Sequence, residues 1–317
     1  MSETSKRYTY YPGCSQKVAA HAYDVSAKQV CEILGLTIQE VEDWNCCGAT
    51  EYFSVNRLPA YSLVARNLSL AARQNTAELV APCSACYLNL RTVDDKMAKY
   101  PQVNAQVNQA LAAGKLSYEP GTLRIRHLLD VIIQDVGYEA VREKATQMLS
   151  GLRIAPYYGC MIVRPYGGPD AEYPIHLDEL MTTLGAEVVD YPMKAHCCGG
   201  HMTQISEETA FELIRRLLQN AAECEADMIV TLCPMCQFNL DAYQSHVNRM
   251  FGTDFKLPVL YFTQLMGVAF GVAQEKLGIG SELVSAKAAL RKIGQTQETK
   301  PRTPKRQDKQ ALPMPTR

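Results

Sequence analysis

The sequence has few of the features that mark a membrane-spanning, secreted or nucleic-acid-binding protein. Its N-terminal segment lacks the run of about seven or more apolar residues that a signal peptide requires. Its most apolar stretch, residues 257–273, includes Pro258 and Thr263, is too short for a membrane-spanning helix, and predicts a buried strand leading into a buried helix. The formal net charge is −1, so no overall charge attracts nucleic acid or an anionic membrane. We expect a cytoplasmic protein that has no nucleic-acid partner and no membrane span, and that associates with membranes only through partners.

Cysteine is the residue type that stands out. The chain has 317 residues, 47% apolar and 21% charged, which is typical of a folded protein with two domains of about 150 residues. It contains 12 cysteines and one tryptophan. Thiols stay reduced in the cytoplasm, so this number of cysteines indicates metal or redox chemistry before disulfides. No glycine-rich nucleotide motif follows a predicted strand, and we therefore expect neither flavin nor nicotinamide on this chain.

Ten of the cysteines form two copies of one pattern. In the first half, Cys14 precedes the pair Cys46-Cys47, and Cys83-x-x-Cys86 follows. The second half repeats this order 146 to 151 residues later, with Cys160, Cys197, Cys198, Cys233 and Cys236. Flanking segments repeat as well, for example LVAPCSACYLNL (79–90) and IVTLCPMCQFNL (229–240). The pattern indicates a duplicated domain, which predicts domains at residues 1–148 and 149–290 and a disordered basic tail at residues 291–317.

Each half predicts the same alternation of strands and helices. Strands are expected at residues 8–11, 36–41 and 79–81, and again at 153–157, 187–191 and 228–232. Helices are expected at residues 21–34 and 61–74, and again at 173–184 and 207–222; Gly35 and Gly185 end the first helix of each pair. Such alternation forms parallel sheets. We predict an α/β fold of two domains related by a pseudo-twofold axis, each a small parallel sheet with helices on both faces.

Each cysteine motif follows a predicted strand, and ligands bind beyond the carboxyl ends of the strands in such sheets. The five cysteines of each half should therefore converge on a cofactor. Structural zinc takes four ligands, whereas thiolate-rich sites favour iron–sulfur clusters. The alternatives are a thioredoxin-like dithiol at each Cys-x-x-Cys and inert buried cysteines, neither of which accounts for ten matched residues. Gly48 and Gly199, after the cysteine pairs, are expected to let the backbone approach the cofactor.

The pattern C-x(31–39)-C-C-G-x(34–36)-C-x-x-C, present twice, resembles the cysteine-rich CCG-domain proteins and in particular the heterodisulfide reductase B-type family. The resemblance extends over residues 8–271 and includes RHLLDVI (126–132) and VLYFTQLMGVAFG (259–271), which look like the segments that close each domain in that family. It implies that each half binds one noncubane 4Fe–4S cluster through all five of its cysteines. The ligands would be Cys14, Cys46, Cys47, Cys83 and Cys86 in the first half, and Cys160, Cys197, Cys198, Cys233 and Cys236 in the second.

The resemblance also implies a function. The clusters of that family cleave or form a disulfide in one-electron steps, so the chain would be the subunit of a heterodisulfide reductase-like complex that acts on a sulfur group. Its partners would be a ferredoxin-like iron–sulfur subunit (C-type) and a flavoprotein subunit (A-type). The alternative is an iron–sulfur electron-transfer or anchor subunit of a non-classical succinate dehydrogenase, a fumarate reductase or a related dehydrogenase. The identity of the disulfide stays open.

Residues outside the pattern give weaker signals. Cys31 and Cys224 have no counterpart in the other half, and we expect them to be core cysteines. His196 and His201 flank the second cysteine pair and are candidate proton donors to a leaving thiolate; packing or a hydrogen bond to cluster sulfur is the simpler interpretation. Lys194 is a candidate for binding a substrate phosphate or carboxylate, and a solvated surface charge is its simpler interpretation.

Overall fold

The computed structural model describes residues 6–49, 52–74, 76–166 and 170–295, which form two four-stranded parallel sheets. The first sheet contains β1 (Arg7–Tyr10), β2 (Thr37–Glu40), β3 (Glu78–Ala81) and β4 (Arg124–His127). The second contains β5 (Arg153–Tyr157), β6 (Glu187–Val188), β7 (Met228–Thr231) and β8 (Val259–Tyr261). The strand orders, β2-β1-β3-β4 and β6-β5-β7-β8, are the same order one repeat apart. The predicted duplicated α/β fold is confirmed.

Helices connect the strands in both halves. The first half contains α1 (His21–Ile33), α2 (Tyr52–Val55), α3 (Arg57–Ala72), α4 (Ser84–Lys99), α5 (Pro101–Ala112), α6 (Leu128–Val131) and α7 (Tyr138–Lys144). The second contains α8 (His176–Thr183), α9 (Glu207–Glu223), α10 (Pro234–Ala242), α11 (Gln244–Phe251), α12 (Phe262–Ala269) and α13 (Lys287–Leu290). Short 3-10 helices lie at Cys14–Lys17, Met202–Gln204 and Gln274–Leu277, and a π-helix lies at Ile132–Val136.

Both faces of the sheets are buried at the strands inside the edge strands β2 and β6, as expected for short apolar strands in a parallel sheet. In β3, Leu79 packs into one core and the next residue, Val80, into the other. In β7, Met228 likewise packs into one core and the next residue, Ile229, into the other. Each of the two cores contains residues from both halves. The two repeats are therefore joined by continuous apolar packing.

A tyrosine from the first half lies at the centre of this junction. Tyr23 of α1 stacks on Tyr261 with the ring centroids 4.2 Å apart and the planes 7° from parallel. Its hydroxyl donates to the carbonyl oxygens of Pro82, at 2.7 Å, and Leu232, at 3.2 Å. These two residues directly precede the Cys-x-x-Cys motifs, so the Tyr23 side chain links the starts of both motifs.

The element boundaries differ from the predicted ones where polar turns intervene. The helix expected at residues 173–184 begins at His176, because Asp170 accepts hydrogen bonds from the backbone N–H groups of Glu172 and Tyr173 and holds a turn. The helix expected at 61–74 starts earlier, at Arg57, with Pro59 in its first turn, where the missing N–H costs no helical hydrogen bond. The strand and helix predicted within residues 257–273 are β8 and α12.

The boundary predicted between residues 148 and 149 lies in the segment that connects α7 to β5. Most of the predicted basic tail, residues 296–317, lies outside the described residues. Within the described ranges, no helix combines the length and the apolar character needed to cross a membrane.

Candidate metal centre

Three adjacent parallel strands deliver each set of five cysteines to one sheet edge. In the first half, Cys14 follows β1, the Cys46-Cys47 pair follows β2, and Cys83 follows β3. The second half repeats the arrangement after β5, β6 and β7. Parallel strands place their carboxyl ends on the same side. The cysteines of each half therefore converge at one sheet edge, as predicted.

The thiols of the first set lie in contact with one another. The Sγ atoms of Cys14 and Cys46 are 3.4 Å apart, and those of Cys47 and Cys86 are 3.5 Å apart. The Cys83 thiol is near enough to that of Cys86 for Cys86 to influence its pKa. Cys14 and Cys46 are exposed, while the other three are buried. The set therefore has a solvent-facing side and a buried side. All five cysteines are free thiols.

The second set has the same arrangement and lines a cavity of about 250 Å³. The Sγ atoms of Cys198 and Cys236 are 3.5 Å apart. The neighbouring Cys160 thiol, together with a hydrogen bond from the Gly199 N–H, lowers the pKa of Cys197 to about 6 although burial opposes this. Cys197 is therefore prepared to be a thiolate, the form that binds metal.

The two sets meet at Cys83 and Cys233, whose thiols are near enough to influence each other's pKa. This proximity raises the pKa of Cys83 well above its usual value. The fully buried His127 lies beside the junction, with its Nδ1 accepting from the Leu129 N–H, and burial lowers its pKa. The first cysteine of each Cys-x-x-Cys motif thus lies where the two halves touch.

Glycines lie next to the cysteines at positions where a side chain would not fit or the backbone conformation is unusual. A Cβ atom on Gly13 would lie 2.7 Å from the Cys86 Sγ, and one on Gly159 would lie 3.0 Å from the Cys236 Sγ. Gly48 and Gly199 have φ angles of +79° and +91°, which L side chains rarely adopt. Backbone conformation is therefore the observed reason for glycine after each cysteine pair, and their contact with a cofactor stays a prediction.

Two asparagines that the sequence analysis did not single out hold the cysteine loops. Asn89 Nδ2 donates to the carbonyl oxygens of Cys47 and Ala49 and lies 3.5 Å from the Cys47 Sγ. Asn239 makes the same contacts with Cys198 and Gly200, with its Nδ2 3.6 Å from the Cys198 Sγ. Both occupy the same place in the matched segments CYLNL and CQFNL, and that repetition was the signal for them.

Two tyrosines are duplicated in the same way. The Tyr11 hydroxyl donates to the carbonyl oxygen of Asn45 at 2.6 Å, and the Tyr157 hydroxyl donates to that of His196 at 2.7 Å. Each acceptor directly precedes a cysteine pair. Tyr11 directly follows β1 and Tyr157 is the last residue of β5, so the end of the first strand of each half fixes the loop that follows the second strand.

The predicted non-cysteine candidates occupy three different environments. His201 lines the second cavity, and His196 is exposed and offers its backbone carbonyl to Tyr157. Lys194 is buried, its ammonium group 2.7 Å from Asp178 and 3.8 Å from the centre of the Tyr173 ring. Lys194 does not line the cavity. The interpretation of Lys194 as a solvated surface charge is wrong, because its charge is paired with Asp178 in the interior, and its role in substrate binding stays a prediction.

The two unmatched cysteines lie apart from both sets. Cys31 is fully buried in α1, and burial raises its pKa to about 12. Cys224 is half-buried at the end of α9, with its Sγ 3.0 Å from the Asp190 carbonyl oxygen. Cys31 is a core cysteine as predicted, whereas Cys224 lies at the edge of the core.

The donor set suits an iron–sulfur cluster. It consists of soft sulfur atoms and comes from loops held in place by hydrogen bonds to the backbone. Within the described ranges, no three or more His, Cys, Asp or Glu side chains surround a single ion position. The thiols instead lie in contacting pairs: Cys14 with Cys46, Cys47 with Cys86, and Cys198 with Cys236.

Comparison with known proteins identifies both halves as copies of a cysteine-rich domain. The model of the cysteine-rich CCG domain matches residues 8–91 and 154–241. The 8-methylmenaquinol:fumarate reductase membrane anchor subunit of Wolinella succinogenes is 33% identical over 89% of this chain and 98% of its own length. The B-type subunit of the ferredoxin:CoB-CoM heterodisulfide reductase of Methanosarcina mazei is 31% identical over 89% of this chain and 92% of its own length.

A solved structure shares the fold. A hypothetical protein from Helicobacter pylori aligns with a TM-score of 0.68 at 15% identity, over 89% of this chain and 53% of the longer one. The matched domain model covers both repeats, and relatives above 30% identity align over nearly their whole length. The chain therefore belongs to the cysteine-rich CCG-domain family, among relatives that include the B-type subunits of heterodisulfide reductases.

Proposed function

We propose that the chain is the disulfide-cleaving iron–sulfur subunit of a heterodisulfide reductase-like complex and holds two noncubane 4Fe–4S clusters. The observation that carries the proposal is the junction at Tyr23, whose hydroxyl donates to the carbonyls directly before Cys83 and Cys233 and so brings two complete five-cysteine sets together. A single electron-transfer site would need only one such set. Two adjacent sets suit a reaction that takes two electrons in separate steps.

Different residues of the chain bind the clusters, position the loops and donate a proton in this proposal. The five cysteines of each half hold the cluster, and Asn89 and Asn239 keep the cysteine-pair loops in position. The clusters, when bound, would supply the electrons one at a time. Reduction of the disulfide breaks one S–S bond, consumes two electrons and two protons, and releases two thiols. His201, in the second cavity, is the proposed proton donor to one leaving thiolate.

The electrons come from partners in this proposal. Relatives with this domain are subunits of ferredoxin-dependent enzymes, and the sequence contains no nucleotide-binding glycine motif. A ferredoxin-like C-type subunit would pass electrons to the chain, and an A-type flavoprotein would supply them. The exposed thiols of Cys14 and Cys46 mark the solvent-facing side of the first set.

The test is metal content together with turnover of anaerobically purified protein. We expect about eight iron atoms and matching acid-labile sulfide per chain, and disulfide reduction with a reduced viologen as the one-electron donor. NADH alone should give no turnover. Stoichiometric zinc without sulfide, or turnover with NADH alone, would contradict the proposal.

The second candidate is an iron–sulfur anchor or electron-transfer subunit of a fumarate reductase-like enzyme. The observation in its favour is the alignment with 98% of the W. succinogenes anchor subunit. Under this function the chain would bind iron and transfer electrons to a flavoprotein dehydrogenase but would not reduce disulfides with viologen. The same turnover assay therefore separates the two functions.

A further inference from the structure

Each half contains a groove between its fourth strand and the helix that begins within its Cys-x-x-Cys motif. In the first half this groove lies between β4 and α4 and has a volume of about 450 Å³. In the second half it lies between β8 and α10 and has a volume of about 160 Å³. Among the described residues, no cysteine lines either groove. We call them the first groove and the second groove.

Equivalent positions of the two repeats line both grooves. Arg91 and Asp241 each lie five residues after the last cysteine of a Cys-x-x-Cys motif. Asp130 and Gln264 each lie three residues after the end of the fourth strand of their half. The fourth strands occupy the same place in the two sheets. Arg91 and Asp130 of the first groove therefore correspond to Asp241 and Gln264 of the second.

A segment of the chain itself covers the second groove. The Asp241 carboxylate accepts hydrogen bonds from the backbone N–H groups of Leu283 and Val284, at 2.8 and 2.9 Å. The Gln264 side chain donates to the carbonyl oxygen of Leu277 at 3.1 Å. The second groove thus holds a polypeptide segment through its backbone, and this segment occupies much of the space that is open in the first groove.

The first groove has the opposite polarity. A guanidinium donates where Asp241 accepts, and the Asp130 carboxylate accepts where the Gln264 amide donates. In the part of the chain that the structure describes, neither Arg91 nor Asp130 is bonded through its side chain to a backbone group or to an opposite charge. No segment of the described chain is therefore held in the first groove as residues 277–284 are held in the second.

Arg91 is kept in position by two aromatic side chains. Its Nη1 donates to the Tyr87 hydroxyl at 2.5 Å, and its guanidinium carbon lies 4.3 Å from the centre of the Tyr166 ring. Both tyrosines also line the first groove. A guanidinium that is fixed in this way and has no carboxylate partner is suited to bidentate binding of a carboxylate.

Most other charges of the first groove are already bonded. Arg126 is paired with Asp135 and Glu78, and Asp94 accepts hydrogen bonds from a tyrosine hydroxyl and a backbone N–H. The Arg124 side chain is 59% exposed, and its nearest carboxylate is the one that Arg126 shares. A ligand would therefore meet two cations, Arg91 and Arg124, and the single acceptor Asp130.

We propose that the first groove binds an extended acidic segment of another protein, in the position that residues 277–284 take in the second groove. A carboxylate of that segment would pair with Arg91, and one of its backbone N–H groups would donate to Asp130. Residues 296–317 of this chain are basic and do not supply such a segment. The inference goes beyond the proposed function and does not depend on the reaction at the cysteine sets.

The test is binding of fluorescent peptides to anaerobically purified full-length protein, measured by fluorescence polarisation. Pools of capped peptides of about ten residues are randomised among uncharged residues and differ only at two fixed positions, which are glutamate, glutamine or lysine. The variant Arg91→Asp/Asp130→Gln installs the residues of the second groove. Arg249→Asp, at an exposed arginine of α11 that lines neither groove, is the matched control. Iron content and thermal unfolding are measured for all proteins, so that a loss of folding is recognised.

We expect the glutamate pool to bind the unmodified chain and Arg249→Asp roughly tenfold more tightly than the glutamine pool, and the lysine pool to bind most weakly. The double variant should lose this preference while keeping its iron and its unfolding temperature. The glutamate pool should also cross-link to a benzophenone side chain placed at Gln134, which lines the first groove.

Equal affinity for the glutamate and glutamine pools would overturn the inference, and so would a preference that persists in the double variant. Free succinate that binds as tightly as the peptides would overturn it as well, because the groove would then be a site for a small anion and not for a polypeptide segment. None of these outcomes depends on disulfide turnover.

Discussion

Asn89 and Asn239 make equivalent hydrogen bonds to the two cysteine-pair loops. In each, the Nδ2 atom lies within N–H···S hydrogen-bond distance of a cysteine sulfur, 3.5 Å from Cys47 and 3.6 Å from Cys198. Such a hydrogen bond stabilises the more negative, reduced state of a cluster and raises its reduction potential. With the proposed clusters bound, each asparagine would therefore tune a reduction potential in addition to holding the loop.

Replacing either asparagine should lower the potential of one cluster only. For Asn89→Ala we expect a decrease on the order of 50 mV at the first cluster, equivalent to about 1 kcal/mol of hydrogen-bond energy. Asn239→Ala should do the same at the second cluster. An EPR-monitored redox titration measures both, and each variant is the control for the other. Unchanged potentials with full iron content would mean that these side chains only support the loops.

Substitutions within and outside the cysteine sets should have opposite effects. Cys47→Ser and Cys198→Ser should each abolish disulfide turnover and lower iron content by about half, because serine is a poor ligand for soft metals. Cys31→Ala and Cys224→Ala are the controls and should keep nearly full activity. Iron analysis, EPR spectra and viologen-driven turnover are compared for all four variants. Full turnover in either serine variant would favour the electron-transfer function.

Lys194 should matter for stability and not for substrate binding. Lys194→Met leaves Asp178 without its buried cation and should destabilise the fold by about 3 kcal/mol in urea denaturation. The additional change Asp178→Asn should recover part of that loss, because it removes the unpaired charge. The KM for the disulfide should stay unchanged. A raised KM with unchanged stability would restore Lys194 as a substrate-binding residue.

The ion pair between Arg126 and Asp135 predicts a dependence of stability on acidic pH. Hydrogen bonding to Arg126 lowers the pKa of Asp135 from 3.8 to about 2. Its folded-state pKa is depressed, so the stabilisation is present above pH 4 and is lost as the pH falls towards 2. We expect a loss of about 2 kcal/mol over this interval.

Asp135→Asn removes the titrating group and should flatten this dependence. The free energy of unfolding is measured in urea at several pH values for both proteins. Asp254→Asn, at a carboxylate that is 79% exposed, is the matched control and should behave like the unmodified chain. A loss of the same size in Asp135→Asn would assign the acid sensitivity to other groups.

The sequence predicted the features that follow from chain order. Cysteines placed directly after strands must meet when the strands are parallel neighbours, so the convergence of Cys14 with Cys83 required no knowledge of tertiary contacts. The burial of Lys194 was not predictable, because its partner Asp178 comes from another element and no local pattern links the two. The proximity of Cys83 and Cys233 depends on how two whole domains pack together.

The Tyr23 hydroxyl, shared by the carbonyls before both Cys-x-x-Cys motifs, makes the junction of the two repeats unsymmetrical. One tyrosine, from the first repeat, contacts the starts of both motifs. A movement of α1 would therefore be felt at both cysteine sets at once, because the same side chain is bonded to the backbone that precedes each of them.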